Sequence, residues 1–241
     1  AGGVDTLVPL GSTGEAATIL DAERDAIISA CLEEAGGKPV VVGTGHNATR
    51  AAAAMTRRSQ ELGAAGALVV TPYYNKPTLG GLAAHYEAVA EAAPGLPLIA
   101  YNVPGRTGLN LTPPMLAKLW ENPQVVAVKE SSGNLAQIAE IVRTLPQGKQ
   151  VLSGDDNLAL ASMAAARRGD VALARRWHQH LLPLMDALFL ESNPIPLKAA
   201  LPLLDLGTDM VRLPLVPASA STRGKIAELL HLATDSLSGA Q

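Results

Sequence analysis

The chain has 241 residues, 48% of them hydrophobic, and a formal net charge of −3. That is enough for one α/β domain with a large core, and the mild charge gives no reason to expect a nucleic-acid or membrane partner. Aromatic residues make up only 3% and there is a single cysteine. The core must therefore rest on Ala, Leu and Val, and Cys31 cannot form an internal disulfide, which fits a reducing, cytoplasmic setting.

No run of eighteen apolar residues marks a spanning helix. Ala1-Gly2-Gly3-Val4 has neither the basic nor the apolar region of a signal peptide, and it opens almost inside a strand, as a chain missing its front would. Val4–Gly11 reads as a first strand. Leu20–Ala35 is an amphipathic helix closed by Gly36-Gly37, with Cys31 on its apolar side as a core thiol. Pro39–Gly45 is a second strand, and Asn47 caps a helix ending near Gly63. Gly66–Pro72 is a third strand, followed by a helix from the Thr78 cap to Ala93. Pro97–Val103 is a fourth, and Thr112-Pro113 opens the next helix. Val125–Lys129 is a fifth, before a helix capped by Asn134. Gln150–Ser153 is a sixth.

After Asp156 the alternation stops. Residues 158–168, 171–190, 195–206 and 219–233 read as helices, Pro183 kinking or breaking the second. Pro214 and Pro217 disqualify Val211–Pro217 as a central strand. Near-continuous apolar strands alternating with amphipathic helices at intervals of about 25 to 34 residues predict a parallel α/β fold of the TIM (β/α)8-barrel type. Six strands are recognisable rather than eight. The expected organisation is an incomplete barrel over 1–168 and a C-terminal helical region over 169–241.

In such a fold chemistry gathers at the C-terminal strand ends. Lys129 stands there, after four apolar residues and before Ser131-Ser132-Gly133-Asn134. Apolar walls would strip its hydration and free the amine to attack a carbonyl, although a lysine can also simply snorkel out of a strand end. The other strand ends carry Gly11-Ser12-Thr13-Gly14, Tyr74, Tyr101, Arg106 and Ser153-Gly154-Asp155-Asp156. Hydroxyls, glycine amides and one arginine suit a small anionic carbonyl compound. Taken singly, GSTG is equally a turn, Tyr101 equally a core tyrosine and Arg106 equally a surface arginine. The five histidines form no metal-ligand spacing with acidic residues or cysteine, and no phosphate-binding glycine motif is present, so neither a metal nor a nucleotide cofactor is expected.

Taken in order, Gly11-Ser12-Thr13-Gly14-Glu15, Gly43-Thr44-Gly45, Thr71-Pro72-Tyr73-Tyr74-Asn75-Lys76-Pro77, Tyr101-Asn102-Val103-Pro104-Gly105-Arg106-Thr107-Gly108, Lys129-Glu130-Ser131-Ser132-Gly133-Asn134, Ser153-Gly154-Asp155-Asp156 and Asn193-Pro194-Ile195-Pro196 resemble the dihydrodipicolinate synthase family of Schiff-base lyases, which also holds N-acetylneuraminate lyase. The resemblance implies that Lys129 forms an imine with pyruvate, and that the derived enamine attacks L-aspartate 4-semialdehyde in lysine and diaminopimelate biosynthesis. It implies a proton relay of Tyr101, Thr13 and Tyr74 of a neighbouring subunit in a homodimer or homotetramer. Ser12 and Thr13 would hold the pyruvate carboxylate, Gly154 would line the substrate site, and Arg106 would take the carboxylate of the semialdehyde. No cofactor is implied.

Another pyruvate-dependent aldolase or lyase on the same barrel is the alternative, and a shortened, non-catalytic paralogue acting as a binding partner is a third reading. Ser12-Thr13 stands where the synthases usually have Thr-Thr. The first strand and helix are expected to be missing before Ala1. After Met163 the chain skips the Gly-Gly turn and eighth strand of the family pattern, so weak or absent activity is expected if the chain is truly this short. At the positions of the family's lysine feedback site stand Ala16, Asp21, Arg24 and Ala51, with Asn47 and Tyr73 kept, which implies weak inhibition by lysine.

Overall fold

Five strands lie side by side in chain order, all parallel: β1 (Val41–Gly43), β2 (Gly66–Val70), β3 (Leu98–Asn102), β4 (Val125–Glu130) and β5 (Gln150–Ser153). The structure is a computed structural model that describes residues 3–158 and 169–238. Among those residues the expected first strand is reduced to one parallel bridge, Leu7↔Val40. Its backbone still donates from Leu7 to Pro39 and accepts at Leu7 and Pro9 from Val41 and Gly43. Pro9 has no N–H to give, and Leu10 turns into the left-handed region at φ 57°, so the ladder cannot extend.

Each of β1 to β4 is followed by helix. After α1 (Asp21–Glu34) come α2 (Thr49–Leu62), α3 (Leu79–Ala92), α4 (Pro104–Thr107), α5 (Pro113–Leu119) and α6 (Leu135–Arg143). Thr78 caps α3 by accepting from the Gly81 amide, and Asn134 caps α6 by accepting from Gln137. The expected Asn47 cap is not made. Ala48 is the N-cap of α2, and its amide donates to His46 Nδ1 at 2.9 Å instead. Gly63, at φ 103°, closes α2 in the left-handed conformation that glycine adopts without strain. Cys31 is half-buried rather than a core thiol, because α1 buries only Ile28.

The sheet's two faces differ. One carries Ala67, Val69, Leu98, Ala100, Val125 and Val128 against α3, α5 and α6, with Leu82, Tyr86 and Val89 of α3 fully buried there. Burying side chains of that size contributes about 1.5–3 kcal/mol each. The other face carries Leu68, Tyr101 and Val103, packed by Val41, Val70 and Ile99.

His85, on α3, is 3% exposed and shares a hydrogen bond of 3.0 Å with Thr49 Oγ1. Burial, helped by His46, pushes its pKa down to about 4. An unfolded histidine titrates near 6.5, so between those values the unfolded chain binds more protons. The stability conferred by neutral His85 is complete above about pH 6.5 and lost as pH falls toward 4, by about 3 kcal/mol. His85→Gln keeps a partner for Thr49 and does not titrate. Denaturant titrations between pH 7 and 4 should show about that much less pH dependence in the variant; an unchanged slope would contradict this account of His85.

The chain divides into two compact units, Ala1–Gly11 with Ile19–Gly154 and Ser12–Thr18 with Asp155–Gln241. The second holds α7 (Val171–Ala187), α8 (Ile195–Ala200), a 3-10 turn at Leu201–Leu204 and α9 (Ala220–Ser238). Pro183 does not break α7, which runs through it for four more residues. A small core forms around Ile195, Ala199, Ala200, Ala218 and Ile226. The helix expected over 158–168 falls almost wholly outside the described residues.

Candidate active site

Lys129 reaches its place through an irregularity in β4. Leu98 pairs with Val125 but Ile99 pairs with Ala127, so Val126 is an extra residue. Without it Tyr101 would face Val128. With it Tyr101 pairs with Lys129, and Lys129 in turn pairs with Leu152 of β5. The bulge also explains how Val125 and Val128, an odd number of residues apart, both pack against the helices. Lys129 and Tyr101 therefore emerge together on the opposite face. The Lys129 Nζ lies 4.4 Å from the centroid of the Tyr101 ring, in cation–π contact. Tyr101 is 6% exposed and Lys129 half-buried.

Gly154 follows β5 and anchors through its amide to Glu130 O at 2.8 Å. A Cβ on it would stand 1.9 Å from Ser131 Oγ and 2.8 Å from Lys129 Cε. Only glycine leaves room for the lysine in this rotamer. Gly154→Ala should therefore push the lysine side chain aside and cut turnover by about ten- to a hundredfold with folding retained, since a misplacement of about 1 Å costs that much. Wild-type turnover in that variant would show that the lysine needs no such space. Arg106 lies exposed on α4, just past β3, where Gly108 ends the turn at φ 70°. Tyr74 is 88% exposed, with φ 72° and its amide donating to Thr107 O at 3.3 Å.

Behind this face lies a polar cluster that the sequence reading missed. Glu130 is fully buried. Its carboxylate accepts from Asn102 Nδ2 at 3.1 and 2.9 Å, from the Ser132 amide at 2.7 Å and from Gln137 Nε2 at 3.3 Å. Asn110 joins Asn102 and Gln137, and Asn102 Oδ1 accepts from the Leu111 amide. The available signal was a polar residue directly after each reactive one: Asn102 after Tyr101 and Glu130 after Lys129.

Ser12 and Thr13 belong to the second unit. There Asn193 Nδ2 donates to Thr13 Oγ1 at 2.9 Å. Two residues on, Glu15 pairs with Lys198 and accepts from the Arg212 amide at 3.0 Å. Burial raises the Glu15 carboxyl's pKa, but the Lys198 and Arg212 interactions outweigh it and hold it below the usual value. The loop is thus fixed by segments nearly two hundred residues away in sequence. Among the described residues no group of three or more histidine, cysteine or acidic side chains could hold a metal, and no helix is long and apolar enough to cross a membrane.

A parallel strand–helix chain that sets a lysine amine beside a tyrosine at adjacent strand ends has the architecture and the nucleophile of an imine-forming lyase. The model of the dihydrodipicolinate synthetase family matches residues 1–165 and 159–233, and the chain belongs to that family. The 4-hydroxy-tetrahydrodipicolinate synthase of Geotalea daltonii is 42% identical over 254 aligned residues, which take in 95% of this chain and 87% of that protein. The crystal structure of dihydrodipicolinate synthase from Thermotoga maritima matches with a TM-score of 0.92 at 38% identity, over 96% of this chain and 88% of that one. The chloride-inhibited synthase from Acinetobacter baumannii complexed with pyruvate matches at 0.91 and 36%, over 96% and 88%. The 254 aligned residues exceed the 241 of this chain, so the Geotalea protein has residues inside the aligned span that this one lacks. The two matched segments overlap at 159–165, where the sequence passes over the expected Gly-Gly turn and eighth strand.

Proposed function

We propose that this chain condenses pyruvate with L-aspartate 4-semialdehyde to 4-hydroxy-tetrahydrodipicolinate, in lysine and diaminopimelate biosynthesis. The observation that carries the reading is Lys129 Nζ 4.4 Å from the Tyr101 ring at paired positions of β3 and β4. The amine adds to C2 of pyruvate, and loss of water gives an iminium. Loss of a C3 proton turns the iminium into an enamine, whose C3 attacks the aldehyde carbon. The new C–C bond brings the semialdehyde's amino group within reach of C2, where it displaces the lysine as the ring closes. The iminium is itself the electron sink, so the reading calls for no cofactor.

Tyr101 is assigned the passing of protons, since its hydroxyl can both donate and accept. Arg106 is assigned the carboxylate of the semialdehyde, as a forked donor suited to it. On the family resemblance alone, Ser12 and Thr13 are assigned the pyruvate carboxylate, and Tyr74 a place in a neighbouring subunit's relay. The exposure of Leu203, Leu206, Met210, Leu213 and Val216 in one stretch of chain supports a homo-oligomer, because apolar side chains gathered at a surface mark contact sites; a cytoplasmic setting is part of the same reading. Small molecules, rather than a nucleic acid or a membrane, are the partners in this reading.

A panel of aldehydes offered with pyruvate tests the substrate. Consumption of pyruvate with aspartate semialdehyde at least about a hundredfold faster than with N-acetylmannosamine or simple aldehydes is expected, because Arg106 has a carboxylate to bind only in the first. Preference for a neutral aldehyde would move the assignment to another lyase of the family.

Feedback by lysine should be weak. Ala16, Asp21 and Arg24 stand where the resemblance expects small polar or imidazole groups, and Ala51 where it expects an acid. The Arg24 guanidinium is already committed to Gly43 O at 2.7 Å. Half-maximal inhibition by lysine in the steady-state assay is expected above the millimolar range; inhibition below it would contradict this.

A further inference from the structure

Glu130 has no part in the reaction as proposed, yet it is held completely buried. A buried carboxylate is costly to desolvate, and an apolar residue of similar size would fill the space without that cost. What the carboxylate provides is a joint. It gathers three segments at the point where the sheet gives way to loops: Asn102 at the end of β3, the Ser132 amide just past β4, and Gln137 in the first turn of α6. Asn110 closes the cluster by donating to Gln137 Oε1 at 2.8 Å. Every one of these donors to Glu130 is an uncharged amide N–H, so both carboxylate oxygens serve the joint as acceptors.

The pairing of the strands turns this joint into a device. Asn102 pairs with Glu130, as Tyr101 pairs with Lys129 one step earlier. Successive side chains of a strand point to opposite faces. The acid–amide pair on the helix side therefore sets the spacing and twist of the reactive pair on the other side. The last ladder bonds reinforce it: Ser131 N donates to Asn102 O, and Gly154 N to Glu130 O, both at 2.8 Å.

We infer that Glu130, acting through Asn102 and Gln137, is a positioning residue that holds Lys129 at its station beside Tyr101 for imine formation. The inference rests on Lys129 being the residue that forms the imine. Glutamine at 130 would turn an amide NH2 toward the NH2 groups of Asn102 and Gln137, donors facing donors, and would loosen the joint while keeping its shape.

Rapid-quench borohydride trapping with saturating radiolabelled pyruvate separates position from folding. Glu130→Gln should give a full final yield of adduct per folded chain, formed about tenfold or more slowly, with the KM for pyruvate within about threefold of wild type. A yield reduced in step with the folded fraction at an unchanged rate would make Glu130 merely structural and overturn the inference, as would a wild-type rate. Should Glu130→Gln not fold, Gln137→Ala decides: it removes one donor at the helix start and should slow adduct formation about threefold with full yield, and an unchanged rate overturns the inference. An unaltered enzyme that forms no adduct overturns the parent reading and this inference together. Normal trapping in the unaltered enzyme with no slowing in either variant overturns this inference alone.

Discussion

Lys129→Ala is expected to lower turnover by roughly 10⁴-fold or more while the chain remains folded. Without the amine there is no imine, no electron sink and no enamine, and no other lysine of the sheet stands at a strand end beside Tyr101. The folding cost should be small, about 1 kcal/mol or less, because Lys129 is half-buried and its amine lies against the Tyr101 ring. Lys129→Arg should be nearly as inactive. It keeps charge and length, but a guanidinium is not deprotonated in proteins and cannot act as the nucleophile. Steady-state rates and melting curves on the two variants check this. Residual turnover above about 1% of wild type in either would remove the imine from the mechanism, given how much of the barrier a covalent route must supply.

Gly43→Ala should be the most damaging single change to the fold. A Cβ there would stand 1.8 Å from Leu10 O, 2.4 Å from Leu10 C and 2.9 Å from Gly11 N. These are backbone atoms, and they cannot swing away as a side chain can. The backbone bonds among Leu7, Pro9, Pro39, Val41 and Gly43 tie the segment they belong to against the start of the sheet. Its displacement would also release Leu10 from the left-handed turn that leads into Ser12 and Thr13. A loss of about 3 kcal/mol or more is expected in urea unfolding, at the upper end of what overpacking costs. A change under about 1 kcal/mol would mean that the N-terminal segment does not lean on Gly43 as described.

The parallel strands and their helices were legible because their signals are local. Val and Leu runs ended at turn residues, and Thr78, Asn134 and Gly63 cap or close helices as their chemistry dictates. The position of Lys129 near the end of its strand was legible for the same reason. Less legible was how it comes to face Tyr101, because Val125-Val126-Ala127-Val128 has no alternation from which to read a bulge, and the offset shows only in the pairing with β3. Glu130 and Asn102 are separated by 28 residues, and sequence alone could not show that one satisfies the other. The apolar pattern of Val4–Gly11 suggests a full strand, but Pro9 lacks the N–H that would extend the ladder beyond its one bridge. Of the two outcomes expected at Pro183, the break does not occur, because α7 continues through it. The partners of Glu15, Lys198 and Arg212, lie too far along the chain for sequence to show them.

The most direct test of the central claim is reduction with borohydride in the presence of pyruvate, followed by digestion and peptide mass mapping. The account predicts one stable pyruvate-derived adduct per chain, on Lys129, formed only when pyruvate is present and absent from Lys129→Ala. No adduct at saturating pyruvate, or an adduct on another lysine such as Lys76 or Lys149, would contradict it.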